Sequence, residues 1–109
     1  METYANQKIV RIQKQLEATD YLRVNNEDWH AAAKELKPTT FILYLWLASN
    51  TDGWEFALSP KAITRETGIS KKSYDRGVDE LLEMGYMCRE HGNRYLFSTV
   101  AQDEWKNDL

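Results

Sequence analysis

The stretch between Ser59 and Gly85 constrains the fold of this chain more than any other. Ser59 is a favourable N-cap residue and Pro60 fits a first helical position, so a helix is predicted to begin there. Gly68 tolerates the left-handed conformation in which helices commonly end. Ser70 then predicts the cap of a second helix, which ends at Gly85. Two short helices joined by a tight glycine-containing turn are typical of a helix-turn-helix.

The second predicted helix has one apolar face. Its members recur at three- and four-residue spacing: Tyr74, Val78, Leu81 and Leu82. Because Tyr74 lies on this face, we expect its ring to be at least partly buried. Gly77 lies in the middle of the helix, where it costs about 1 kcal/mol relative to alanine. We expect this glycine to allow close packing against the first helix of the motif.

The same stretch carries a local excess of positive charge. The chain of 109 residues has a net charge of −3, but residues 61–76 sum to +3 and residues 77–109 to −4. The front of a recognition helix contacts base edges and phosphates, and an acidic remainder repels phosphate elsewhere. We therefore predict that double-stranded DNA is bound here. Two side chains, Lys61 and Arg65, are predicted to hold phosphates, and four are predicted to enter the major groove: Lys71, Lys72, Ser73 and Arg76. Ser70 is a further candidate DNA contact.

A β-hairpin is predicted directly after the second helix. Residues 86–90 and 95–100 have strand character, and Gly92 and Asn93 lie at the turn between them. A helix-turn-helix followed by such a hairpin is typical of a winged helix. The predicted fold class is therefore α+β, mainly α with a small β component. The tip of the wing adds further candidate DNA contacts: Arg89, His91, Asn93 and Arg94.

Three elements are predicted between residue 25 and the motif. Asn25 or Asn26 caps a helix over residues 27–36, and Pro38 starts an apolar central helix that extends to about Asn50. The inner stripe of the first of these helices is predicted to be Trp29, Ala32, Ala33 and Leu36. Residues 54–58 alternate between apolar and polar positions and predict a short strand that leads into Ser59.

The N-terminal segment allows two interpretations. Residues 8–14 and 21–24 each predict a short strand, but residues 5–18 also have apolar positions at helical spacing. A helix there would serve as an arm for a homodimer. The domain organisation expected is a flexible N-terminus at 1–7, the winged helix-turn-helix at 8–100, and a C-terminal tail or linker at 101–109.

Several pieces of the sequence, in this order and spacing, resemble a known group of proteins. They are Lys8-Ile-Val-Arg-Ile, Tyr21-Leu-Arg-Val, the apolar helix after Lys37-Pro38, Asp52-Gly-Trp-Glu-Phe, Gly68-Ile-Ser and Leu81-Leu-Glu-Met-Gly-Tyr. The group is the N-terminal winged-helix domains of phage and plasmid replication proteins, the replisome organisers and initiators of Gram-positive hosts. The resemblance covers about residues 8–100. It implies DNA binding, often at a replication origin, and an N-terminal β-strand or hairpin. Replication or host proteins are further partners that it implies, since a C-terminal domain in that group commonly recruits them.

The sequence gives no sign of catalytic or metal-binding chemistry. His30 and His91 lie on different predicted elements, and the single cysteine, Cys88, allows neither an internal disulfide nor a zinc knuckle. We expect no enzymatic activity, no metal and no cofactor. The longest apolar run, residues 41–48, is too short to cross a bilayer, and we expect a cytoplasmic protein that does not contact membranes. Two alternative functions stay open: a transcriptional regulator of this fold, and a protein–protein interaction module that does not bind DNA.

Overall fold

The structure is a computed structural model that describes residues 8–13, 22–49, 59–91 and 94–107. Its α-helices are α1 (Asn26–Glu35), α2 (Pro38–Ala48), α3 (Pro60–Thr67) and α4 (Lys71–Glu83). Two strands, β1 (Met87–His91) and β2 (Arg94–Phe97), and a 3₁₀ helix, η1 (Asp103–Asn107), follow them. The strand predicted at residues 54–58 and the turn residues Gly92 and Asn93 lie outside the described residues.

The helix-turn-helix forms as its cap residues predict. The Ser59 hydroxyl accepts a hydrogen bond from the Ala62 amide at 3.2 Å, and the Ser70 hydroxyl accepts one from the Ser73 amide at 3.1 Å. Gly68 ends α3 in the left-handed region with a φ of 80°. These caps satisfy backbone donors that the first turn of each helix otherwise leaves unpaired. The predicted limits of both helices are confirmed.

Helix α2 is the centre of the core. Its buried residues are Thr40, Leu43, Tyr44, Leu47 and Ala48. Helix α4 packs closely on it because Gly77 has no side chain: a Cβ atom there would lie 3.0 Å from Leu43 Cδ2 and 3.6 Å from Thr40 Oγ1. The close packing predicted for Gly77 is confirmed, but the neighbour is α2 and not the first helix of the motif.

The hairpin is an antiparallel pair that covers one side of this core. Met87 pairs with Phe97, Cys88 with Leu96 and Arg89 with Tyr95, and the register shifts between Arg89 and His91. Tyr44 from α2 donates a hydrogen bond to the Thr99 carbonyl at 2.8 Å, directly after β2. The wing is therefore fixed to the central helix at its base.

The segment after the wing also packs on the domain. The Gln102 amide donates to the Gly85 carbonyl at 2.8 Å, and η1 contacts both α4 and β1. The part of the predicted tail or linker that the structure describes thus contains a short 3₁₀ helix.

The N-terminal prediction is wrong for the residues that the structure describes. Residues 8–13 and 22–24 belong to neither a strand nor a helix. Ile9, Val10 and Ile12 are 75–80% exposed, and a strand needs a hydrogen-bonded neighbour that these residues do not have among the described part of the chain. Of the inner stripe predicted for the first helix, Ala32 of α1 and Leu36 directly after it are buried as predicted, whereas Ala33 is exposed.

Candidate nucleic-acid interface

The surface of α4 divides into a core face and an outer face. Tyr74, Gly77 and Leu81 are buried against the rest of the domain. The opposite side, which we call the outer face, consists of exposed positions: Lys72, Asp75, Arg76, Asp79 and Glu83. Its front half is cationic and its rear half is acidic, so the positive charge lies near the N-terminal end of the helix, which a recognition helix presents to DNA.

The cations of α4 differ in whether they have a partner. Lys71 Nζ lies 3.0 Å from Asp75 Oδ2, an exposed pair one turn apart. Neither Lys72 nor Arg76 has an ion pair or a side-chain hydrogen bond to any other described residue. The two are one helical turn apart, so their charges lie side by side. Lys72 and Arg76 are therefore the pair of cations on α4 that is available to an anionic ligand.

Helix α3 contributes a weaker cationic site. Lys61 and Arg65 are both exposed on α3. The Arg65 Nη2 atom lies 3.5 Å from Glu66 Oε2, while the other oxygen of that carboxylate accepts from Trp46 Nε1 at 3.0 Å. An exposed pair of this kind contributes little to stability, so Arg65 stays able to exchange Glu66 for a phosphate.

The two predicted serines mainly shape the start of α4. Ser70 Oγ accepts from the Ser73 amide and donates to Ser73 Oγ at 3.1 Å. Both hydroxyls are thus engaged with each other at the N-cap. Their structural role is to fix the conformation of the first turn of α4. This conformation sets the position of Lys72.

The wing carries one cation, Arg89, whose side chain is held in a fixed orientation. Arg89 Nη2 donates to the Tyr95 hydroxyl at 2.8 Å, and the guanidinium carbon lies 5.3 Å from the centroid of the same ring. A hydrogen bond together with a cation–π contact holds the guanidinium in one place while leaving the residue exposed. Arg94 is also exposed on the wing, and Asn93 lies outside the described residues.

Tyr95 was not among the predicted site residues, yet it holds Arg89 and lies near Tyr74 of α4. Burial raises the pKa of the Tyr74 phenol, and the nearby Asp75 carboxylate and Tyr95 phenol raise it further. The Tyr95 side chain therefore lies near both Arg89 and Tyr74. Only the register of the hairpin, in which Arg89 faces Tyr95, brings these side chains together, and no local sequence motif marks it.

The described part of the chain contains neither a metal-binding cluster nor a membrane-spanning helix. Its histidine, cysteine, aspartate and glutamate side chains form no group of three or more that could hold a metal ion. None of its helices combines the length and the apolar character that a membrane span requires.

Comparison with known families agrees with this geometry. Residues 34–87 match a family model described as a helix-turn-helix domain, a range that runs from the end of α1 to the first residue of β1. No curated protein and no solved structure matches the chain significantly. The fold is an α+β winged helix-turn-helix, and a helix-turn-helix domain suggests binding to double-stranded DNA.

Proposed function

We propose that the protein is a double-stranded DNA-binding module that places α4 in the major groove and the wing against the flanking backbone. The observation that carries this proposal is the pair of exposed cations Lys72 and Arg76 at the front of α4, neither of which has a partner among the residues that the structure describes. Arg65 on α3 and Arg89 on the wing lie on the elements on either side of α4 in the chain and supply phosphate contacts.

The salt dependence of binding tests the proposal. A protein that neutralises several phosphates loses affinity for DNA steeply as salt rises, because counterions are released on binding. We expect the double variant Lys72→Ala, Arg76→Ala to reduce both the affinity and the salt slope, while circular dichroism shows an intact fold. The matched control is Lys34→Ala together with Lys37→Ala, which removes the same charge from exposed positions near the end of α1. Equal affinity for random duplex DNA in the two double variants would contradict the proposal.

For the biological role, we propose initiation of DNA replication in a phage or plasmid. The support is the sequence resemblance to winged-helix domains of replication proteins, and a transcriptional regulator of the same fold is the alternative. Crosslinking the protein to DNA in its own host distinguishes the two roles. Replication initiation predicts enrichment at an origin, whereas regulation predicts enrichment at promoters.

A function without DNA is favoured by one observation, the net charge of −3. An acidic winged helix of this kind would bind a basic protein partner through the rear half of α4 and the segment after the wing. It would show no binding to duplex DNA even at low salt, so the same titration separates the two functions.

We also propose that two copies associate through the N-terminal segment. Ile9, Val10 and Ile12 are 75–80% exposed, which is costly for aliphatic side chains unless a partner covers them. A dimer would match two DNA half-sites about one helical turn apart. Sedimentation of the variant Ile9→Asn, Ile12→Asn should give a monomer under conditions where the parent protein and the surface control Ile42→Asn are dimers. A monomeric parent protein would contradict dimer formation.

A further inference from the structure

The outer face of α4 has a spacing suited to reading consecutive base pairs. Lys72, Asp75, Arg76 and Asp79 are separated by three, four and seven residues and are all exposed. Side chains at these intervals lie on one face of a helix. At about 1.5 Å per residue, Lys72 and Asp79 are roughly 10 Å apart along the axis, or about three base pairs of DNA.

The four side chains include two carboxylates, and these differ in their availability. Asp75 is held by Lys71 Nζ at 3.0 Å. Asp79 has no ion pair and no side-chain hydrogen bond to any other residue in the described part of the chain. The Asp79 carboxylate, one turn after Arg76, weakens the general attraction of the helix to phosphate. It therefore does not favour non-specific binding to DNA.

The chemistry of the outer face matches guanine and cytosine. Lys and Arg donate to O6 and N7 of guanine, and Asp accepts from the N4 amino group of cytosine. Adenine is read mainly by Asn or Gln, and α4 contains neither residue type between Lys71 and Glu83. The exposed positions of the face also carry no apolar side chain that would pack on the methyl group of thymine.

Building on the proposed function, we propose that α4 reads a G·C-rich site and that Asp79 is a specificity-determining residue. Lys72 and Arg76 donate to guanines, while the Asp79 carboxylate accepts a hydrogen bond from a cytosine amino group. At the position that Asp79 faces, guanine O6 and thymine O4 are acceptors and repel the carboxylate. Adenine offers a donor amino group but places the N7 acceptor beside it, whereas cytosine presents its donor amino group without a neighbouring acceptor. Asp79 therefore reduces the general affinity of α4 for DNA but makes binding specific for cytosine at one position.

The test recovers bound duplexes from a random pool, using the protein and its variant Asp79→Asn. The protein should select a core of about three G·C pairs. In the variant, asparagine offers adenine a matched donor and acceptor, so the preference at one position should move from cytosine to adenine, by roughly 5- to 150-fold in relative affinity. The matched control is Glu27→Gln, which neutralises one exposed carboxylate on α1 and should leave every base preference unchanged.

Each result has a distinct meaning. Selection of A·T-rich sites, or binding without base preference, would overturn this inference but leave DNA binding in place. A G·C-rich site that is the same in the protein and in Asp79→Asn would overturn the role of Asp79. Failure of the parent protein to bind any duplex at low salt would overturn the proposed function itself, and this inference with it.

Discussion

Arg89 and Tyr95 show how a single hydrogen bond can prepare a surface cation for a ligand. A free arginine side chain loses rotamer entropy when it is immobilised on DNA, a cost of about 0.5–1.5 kcal/mol. In this protein the Tyr95 hydroxyl already holds the guanidinium, at 2.8 Å, and the ring lies beneath it. Part of the ordering cost is therefore met when the hairpin folds, before any ligand arrives.

The change Tyr95→Phe removes the hydroxyl and keeps the ring. If the Arg89 guanidinium contacts a phosphate, DNA affinity should fall by a few fold to about tenfold, since a hydrogen bond to a charged group contributes about 1.5–3 kcal/mol when buried and less at an exposed site. Fluorescence anisotropy with a labelled duplex measures this change. Thermal unfolding should be nearly unaffected, because the hydroxyl is not part of the core.

The double variant separates positioning from a direct effect of the tyrosine. In a background of Arg89→Ala, the further change Tyr95→Phe should have no effect on DNA affinity, since there is no guanidinium left to position. Additive losses from the two changes would show instead that Tyr95 contacts DNA by itself.

At the level of elements, two glycines end consecutive helices with similar backbone angles but different surroundings. Gly68 follows α3 with a φ of 80°, and a Cβ atom there would meet nothing within 4 Å. Gly85 follows α4 with a φ of 86°, and a Cβ atom there would lie 2.6 Å from the Gln102 carbonyl oxygen. The second glycine thus allows the segment before η1 to approach the end of α4.

This pair gives a matched stability prediction. Gly68→Ala should cost about 1–2 kcal/mol, the cost of a left-handed conformation for a residue with a side chain. Gly85→Ala should cost this amount and about 1–3 kcal/mol more, because backbone atoms must separate to admit the methyl group. Urea denaturation of both variants measures the difference. Equal costs would show that η1 is not closely packed on α4 in solution.

The elements that could be predicted from the sequence are those with local signals. The start of α3 is marked by Ser59 and Pro60, its end by Gly68, and the start of α4 by Ser70. The structure confirms all three positions. The strands predicted near the N-terminus rested on no such signal. Apolar alternation predicts a strand only where a neighbouring strand exists to pair with it. The partner of Gly77 and the contact between Arg89 and Tyr95 also depend on residues distant in sequence, which spacing along one element does not reveal.

At the level of the whole molecule, buried tyrosines connect the wing and α1 to the central core. Tyr44 of α2 donates to the Thr99 carbonyl, and Tyr86, next to β1, donates to Glu35 Oε2 of α1 at 2.9 Å. The two rings also meet edge to face, with centroids 5.6 Å apart. Both hydroxyls are donors, so these links exist only while the phenols are protonated.

The stability of the domain should therefore fall at alkaline pH. Burial, with a smaller effect of the Asp28 carboxylate, raises the pKa of Tyr44 to about 12, and burial and the hydrogen bond to Glu35 also raise the pKa of Tyr86. An unfolded tyrosine ionises near pH 10, so below that pH the contribution of each tyrosine is fully present. Between about pH 10 and 12 the unfolded chain binds fewer protons than the folded one, and each tyrosine costs about 1.4 kcal/mol per pH unit.

The variant Tyr44→Phe isolates one of these groups. It should lose about 1 kcal/mol at neutral pH, because the hydrogen bond to Thr99 disappears. Above pH 10, however, its free energy of unfolding should decline less steeply with pH than that of the parent protein. The difference between the two slopes should equal the contribution of one tyrosine. Urea titrations at several pH values between 9 and 11 measure both quantities. Parallel declines in the two proteins would mean that Tyr44 ionises as readily in the folded chain as in the unfolded one, and that the link between α2 and the wing does not depend on its proton.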